Sequence, residues 1–400
     1  MDTLYTLDDL EPGAVRGRRV LVRVDFNVPL ADGRVMDSTR IEEALPTIRE
    51  LAAAGARSIL VSHCGRPKGQ RDPRSSLRPV AERLGELLGT GVVFGDDCVG
   101  DAARQAVDQL ADGDVGLLEN LRFHAGETKN DPDLAAQLAE LAELYVGDAF
   151  GTAHRAHASV VGAAERLERR VAGRLMVREV DSLSRLLGEV ERPFAAILGG
   201  AKIEGKIETL ENLLPRLDLL MVGGGIANTF FAARQVDLGK SLYDAERVEL
   251  AREIMARAAE GIVLPIDLVV TDSLEDPRRT STVRIEGAGA ALPPDTMAVD
   301  VGEATRALFA RKCAGAETIF WNGPLGVFET PPFDAGTQAV AASLGQSSAY
   351  TVIGGGETVA AARRAGVADR LSHVSTGGGA SLELLAGKAL PGIEVLRKSS

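Results

Sequence analysis

Arginines and histidines recur just behind short apolar runs in the first half of this chain, where a small anionic ligand would be gripped. The residues are Asp25, Asn27, Arg40, His63, Arg66, Arg122, His154, Arg155 and His157. A guanidinium stays charged at any working pH and pairs with a carboxylate or phosphate through parallel N–H donors. Histidines beside arginines add donors to the same anion. A phosphorylated small acid carries both anionic groups, so several convergent arginines suit it better than one. Taken singly, each residue also has an ordinary structural reading: a solvated arginine, a satisfied core histidine, or Asp25 and Asn27 capping a turn. The run His154-Arg155-Ala156-His157 resembles a metal pair, but the spacing offers no third ligand.

The second half carries glycine-rich turns behind apolar runs: ILGGAKIEGK, LLMVGGGIANTFF, TVIGGGETVAAA and SHVSTGGGASLELL. Each reads as strand, tight turn and helix start. Glycine lets the backbone approach a ligand, and a helix N-terminus offers free N–H groups. One such turn is a common αβ connection; the set, with Lys202 and Lys206 in the first, points to a nucleotide polyphosphate. Gly200, Gly205 and Lys206 also match the start of a P-loop. The next residue is Ile207, where that motif needs Ser or Thr for magnesium, so the P-loop reading fails.

The elements that must position these residues alternate along the chain. Strand candidates are RVLVRVDF, SILVSH, GVVF, VGLLEN and LYVGDAF, then FAAILGG, LLMVGGG, ETIFWN and AYTVIGGG. Helix-like segments cover residues 41–54, 78–88, 132–144, 245–259 and 335–344. Near-continuous apolar strands between amphipathic helices imply parallel sheets covered on both faces. The expected fold is α/β: two doubly wound, Rossmann-like parallel-sheet domains joined by a hinge helix at 178–190. Residues 273–294, rich in Pro and Arg, read as a hairpin insertion or loop. Ligands of open parallel sheets bind at the carboxyl ends of strands, so each half presents one functional edge and a cleft between the edges is the natural active site.

Composition narrows the function class. The chain has 400 residues, 45% hydrophobic and 26% charged, with a net charge of -12. That length exceeds what one core usually serves, and the acidic balance argues against a nucleic-acid partner. Cys64, Cys98 and Cys313 are far apart, which suggests neither disulfides nor zinc and fits a reducing cytoplasm. The start, MDTLYTLDDLEPGAV, lacks the basic and apolar segments of a signal peptide, and no long apolar run suggests a membrane span.

The motifs VRVDFNVPL, DSTRIEEALPTI, SHCGRPKG, LLENLRFHAGETKND, DAFGTAHRAHAS, ILGGAKIEGKI, WNGPLGVFE, GGGET and SHVSTGGGASLELLAGK make the chain resemble phosphoglycerate kinases over nearly its whole length. The resemblance implies a domain at 1–177 that binds 3-phosphoglycerate through Asp25, Asn27, Arg40, His63, Arg66, Arg122 and Arg155, with the tail 390–400 packing back on it. It implies a Mg2+-nucleotide domain at 178–389, where Lys202 and Lys206 meet phosphates and Gly224 and Gly225 floor the adenine slot. Asn322, Pro324 and Glu329 would surround the nucleoside, and Gly355, Gly356, Glu357 and Thr358 would hold phosphates and magnesium. Arg40, Lys202, Gly356 and Gly379 would be the catalytic set. Glu357 stands where the family has Asp, and Ala298 where it has Gly, so both bear on ATP and ADP affinity. Gly147, Arg178 and Cys64 replace the commoner Asn, Lys and Leu with tolerance expected. A cytoplasmic monomer acting on small molecules is expected. The rivals are a paralogue acting on another small acid, whose anion cluster would be incomplete, and a regulatory protein on a decayed kinase scaffold, which loss of Arg40 or Lys202 would favour.

Overall fold

The computed structural model describes residues 3–258, 261–287 and 289–398. The chain divides into two compact units. One runs to Asp181 and regains the chain at Ala389; the other is Ser182–Lys388. The first holds six parallel strands in the order Val93–Gly95, Val115–Leu118, Arg57–Val61, Arg19–Val24, Leu144–Asp148 and Arg170–Ala172. Alternation along the central strand divides the work of its two faces. Val20, Val22 and Val24 pack with Ile41, Ala44 and Ile48 of the helix Thr39–Ala53, while Leu21 and Arg23 point the other way and are also buried. The connections change direction between Arg19–Val24 and Leu144–Asp148, and a ligand crevice forms at such a switch. The C-terminal segment adds to this unit: Tyr5 N–H donates to the Leu396 carbonyl at 2.8 Å.

The second unit holds parallel strands in the order Ile262–Val263, Leu219–Val222, Phe194–Leu198, Thr318–Asn322, Tyr350–Gly354 and His373–Val374. Its switch lies between Phe194–Leu198 and Thr318–Asn322. Beside it a three-stranded antiparallel sheet joins Thr280–Arg284, Asp267–Thr271 and Met297–Val301. The expected hairpin at 273–294 thus contributes one strand; the flanking two, and the short Arg170–Ala172, Ile262–Val263 and His373–Val374, carry too few residues or too broken a pattern to be read beforehand.

Helices Arg78–Leu88 and Ala335–Leu344 fall on their expected segments. The first stops at Gly89, whose φ of 73° suits a residue without Cβ. Three others differ. Residues 132–144 form a helix only over Pro132–Glu140, because Leu144 already belongs to a strand. In 245–259 the α-helix is Val248–Ala258 behind a 3-10 turn, and Ala259 lies outside the described residues. The expected hinge helix at 178–190 runs instead over Arg174–Arg185. Its start is set by tertiary partners: Thr47 Oγ1 accepts the Arg174 N–H at 2.8 Å, and Asp148 Oδ1 accepts those of Leu175 and Met176 at 2.9 and 3.1 Å. Orphan donors of a first turn are satisfied here by residues from a distant helix and strand. Among the described residues no helix is long and apolar enough to cross a membrane.

Candidate active site

In the first unit the loops behind three neighbouring strands converge. Asp25, just past Arg19–Val24, pairs with Arg40 in the first turn of Thr39–Ala53 at 2.9 Å, and lies 3.9 Å from His63 Nδ1. Asn27 Oδ1 accepts the Gly65 N–H at 2.9 Å, while Arg122 Nη1 donates to the Gly65 carbonyl at 2.7 Å. Gly65 is therefore clamped between two candidate ligand residues, its φ of 66° allowing the tight loop. A cavity of ≈ 580 Å³ opens beside them, lined by Arg66, Lys68, Arg122, Lys129, Arg155 and His157 among others. Arg122 Nε is buried with no hydrogen-bond partner among the described residues, a donor in want of an acceptor. Arg155 Nε donates to His154 Nε2 at 3.0 Å, so His154 supports an arginine.

The electrostatics are those of an anion site. Burial, reinforced by Arg23, Arg122, Arg155 and Arg40, holds the His63 imidazole well below its ordinary range. Burial, with Arg23, Arg122, Arg155 and His154, lowers His157 to about 4. Arg122 is itself pressed down, first by burial and then by Arg155 and Arg23. Around His63 and His157 the guanidinium groups outnumber the carboxylates, and these two imidazoles stay neutral because further cations there are costly.

In the second unit the candidate residues gather at the switch point. Lys206 Nζ donates to the carbonyls of Gly199 at 2.5 Å and Asn322 at 3.0 Å, the ends of the two strands that flank it. Burial lowers this ammonium to about 8, with Glu357 pulling the other way. A slot of ≈ 230 Å³ is lined by Gly200, Ala201, Gly224, Gly225, Leu242, Val299, Pro324, Glu329 and Glu357, with Gly326 and Val327. A Cβ on Gly225 would collide with the Ala201 carbonyl, and one on Gly224 would lie 2.9 Å from the Gly200 oxygen. Backbone against backbone needs glycine there. Asn322 is 3% exposed, and its Nδ2 has no partner among the described residues. Gly356 opens the helix Gly356–Arg364 behind Gly355, whose φ is 91°, and Glu357 occupies its first turn.

Not every expected residue meets the slot. Lys202 is exposed and absent from its lining. Gly379 starts the helix Gly379–Leu385 and borders a different cavity, of ≈ 480 Å³, with Thr209 and Arg247. The Thr358 hydroxyl is buried and accepts the Gly323 N–H at 2.6 Å, tying down the loop that carries Pro324. Ala298 donates its N–H to Ser241 Oγ, and the adjacent Val299 takes the lining position. Arg23, Glu127 and Ser159 escaped the sequence reading, although a lone arginine inside the apolar run RVLVRV is the signal that marks the first. For a metal, Glu357 supplies a hard carboxylate oxygen beside the glycine cradle, the donor type magnesium takes together with phosphates.

Known proteins align with this arrangement. The phosphoglycerate kinase family profile matches residues 7–388. The chain is 52% identical over 385 residues to the phosphoglycerate kinase of Pelotomaculum thermopropionicum, covering 96% of this chain and 97% of that one. It is 50% identical over 404 residues to that of Methylorubrum extorquens strain PA1, covering 99% of each. Among solved structures, phosphoglycerate kinase from Coxiella burnetii superposes with a TM-score of 0.86 at 40% identity, covering 98% of this chain and 99% of that one. The enzyme from Pyrococcus horikoshii OT3 gives 0.85 at 33%, covering 98% of each. With an anion basin at one switch point, a glycine-walled slot at the other, and likeness along nearly the whole length, the chain belongs to the phosphoglycerate kinase family.

Proposed function

We propose that the chain transfers a phosphoryl group reversibly between ATP and the carboxylate of 3-phosphoglycerate, giving 1,3-bisphosphoglycerate and ADP in glycolysis, with the acid on the first unit and the magnesium nucleotide on the second. The observation that carries this reading is the basin at the first switch point, where Arg23, Arg40, Arg122 and Arg155 surround a neutral His63. A site preparing a general base would hold a group titrating near the working pH; this one holds permanent cations. A carboxylate acceptor is already ionised at neutral pH. Its oxygen attacks the γ-phosphorus, the new P–O bond forms as the bond to the β–γ bridging oxygen breaks, and ADP leaves. No proton moves. The protein's task is positioning and neutralising charge.

In this reading Asp25, Asn27, His63, Arg66, Arg122 and Arg155 orient the acid, and Asp25 fixes Arg40 for both acid and transferred group. Lys202 and the Gly356 and Gly379 turns stabilise the moving phosphoryl. Lys206, Gly355 and the slot lined by Gly224, Gly225, Pro324 and Glu329 hold the nucleotide. Magnesium held by Glu357 and the phosphates would neutralise polyphosphate charge. The free, buried state of Cys64, Cys98 and Cys313 supports a reducing cytoplasm. The few large apolar side chains exposed among the described residues, Met36, Leu242, Tyr243, Ile266 and Leu274, support a monomer. A coupled assay tests the reading: ADP release requires 3-phosphoglycerate, ATP and magnesium together. ADP release indifferent to the acid, or a higher kcat/KM with another small acid, refutes it.

A further inference from the structure

From Arg23, one of the arginines around His63, a chain of buried polar groups runs away from the basin, and none of its members is assigned a contact with substrate. Glu127 is fully buried and accepts two bonds from Ser159, from its N–H at 3.0 Å and from its Oγ–H at 2.6 Å. With its single proton committed, the Ser159 hydroxyl oxygen is left as an acceptor, and Arg23 Nε donates to it at 2.8 Å. Arg23 is 1% exposed. Its Nη1 donates to the Val24 carbonyl, and its Nη2 lies 3.3 Å from His63 Nδ1.

We propose that Glu127, Ser159 and Arg23 form a positioning relay that fixes His63 as the neutral tautomer with its proton on Nε2. A guanidinium can only donate, so Nδ1 facing Arg23 must accept and the ring proton sits on the opposite nitrogen. The rival tautomer would need Nδ1–H to reach Asp25 Oδ1, which at 3.9 Å is beyond hydrogen-bond length. The imidazolium would put a proton on Nδ1 against a guanidinium. The four arginines around the ring, Arg23, Arg40, Arg122 and Arg155, disfavour a second proton, and Asp25, the nearby carboxylate, opposes them. The direction of the relay is set at its far end. A buried carboxylate needs donors, Ser159 supplies both of its own, and only then is Ser159 an acceptor for the otherwise uncompensated guanidinium. Glu127 thus balances the charge of Arg23 through one hydroxyl, with His157 Nδ1 3.7 Å from its Oε1 on the basin side.

The consequence rests on the reading that His63 faces the bound acid. A relay-locked ring offers that anion one N–H donor of constant protonation, where an ordinary histidine would change its charge between pH 5 and 8. Glu127, Ser159 and Arg23 are positioning residues, acting through His63.

Nitrogen-15 NMR of the histidine side chains reads the tautomer directly; the chain has 5 histidines, and His63→Gln assigns the signal. The expected wild-type result is an Nε2-protonated ring that does not titrate between pH 5.5 and 8. Protonation at Nδ1, or a midpoint within that range, overturns the relay without any variant. In Ser159→Ala, with the fold checked by circular dichroism, the His63 signal is expected to move to mixed tautomers. The KM for 3-phosphoglycerate should rise several-fold with kcat retained. An unchanged tautomer in that variant also overturns the relay. A changed tautomer with KM unmoved upholds the relay and overturns the placement of His63 against the acid.

Discussion

Lys206 offers the sharpest test of the nucleotide half, because its ammonium is lowered to about 8, inside the range where the enzyme can be handled. Burial is the main cause and Glu357 the counterweight. At pH 7 such a group is about nine-tenths charged and at pH 9 about one-tenth, each unit of pH being worth about 1.4 kcal/mol of proton free energy. If the ammonium neutralises nucleotide phosphate, bound nucleotide keeps it charged, and the apparent Kd for ADP should rise about tenfold from pH 7 to pH 9. The phosphates contribute little to that slope, since a terminal phosphate's second ionisation has a pKa of about 6 and is largely complete by about pH 7. Unfolding does not mimic it. The folded value lies below the ordinary 10.5 of the unfolded chain, so between about 8 and 10.5 the unfolded state binds the extra proton and this group makes stability rise with pH. Calorimetric titration of ADP at pH 7, 8 and 9 is the assay. Lys206→Met should bind at the weak alkaline limit at every pH, and Lys206→Arg, charged throughout, should lose the slope. A flat wild-type profile, or a slope that survives in Lys206→Met, refutes the reasoning.

Three further outcomes follow from the geometry. Arg40→Ala should cut kcat strongly, whereas Arg122→Ala, whose side chain is buried beside Gly65 and lines the cavity, should act mainly on the KM for 3-phosphoglycerate; equal kcat losses with KM untouched in both would break that division. Glu357→Gln should raise the magnesium needed for half-maximal activity while Glu357→Asp stays substantially active. An unshifted magnesium curve in the Gln variant would leave Glu357 only a first-turn dipole role, worth about 0.3–1 kcal/mol of stability. Gly225→Ala should lower stability by about 1–3 kcal/mol, read by denaturant melts, because its Cβ would drive into the Ala201 carbonyl; an unchanged midpoint would show that the slot wall yields.

How much of this was legible beforehand varied with the range of the forces involved. Strands buried on both faces, such as Leu144–Asp148 and Phe194–Leu198, announce themselves as continuous apolar runs. The helices Arg78–Leu88 and Ala335–Leu344 show a periodic apolar face along their whole length. The helix Arg174–Arg185 does not show where it starts, because its first N–H groups are held by Thr47 and Asp148, 127 and 27 residues away in the chain. The strand His373–Val374 is too short for any period and exists because Val352 and Ile353 lie beside it.

The same division runs through the site. Residue types and their order along the chain were enough to name the family and to propose which residues grip anions and cradle phosphates, since guanidinium groups, lysines and glycine turns carry their chemistry locally. What those groups do in place was decided only by the fold. Arg23 looks like an interruption in an apolar strand until Ser159, 136 residues on, takes its Nε–H. Lys206 reads as a lysine for nucleotide phosphates, but only the fold shows that its ammonium reaches the carbonyl of Asn322, 116 residues away, and that burial lowers it to about 8. Burial and hydrogen-bond direction depend on distances between atoms, and the chain brings those atoms together only when both sheets have closed.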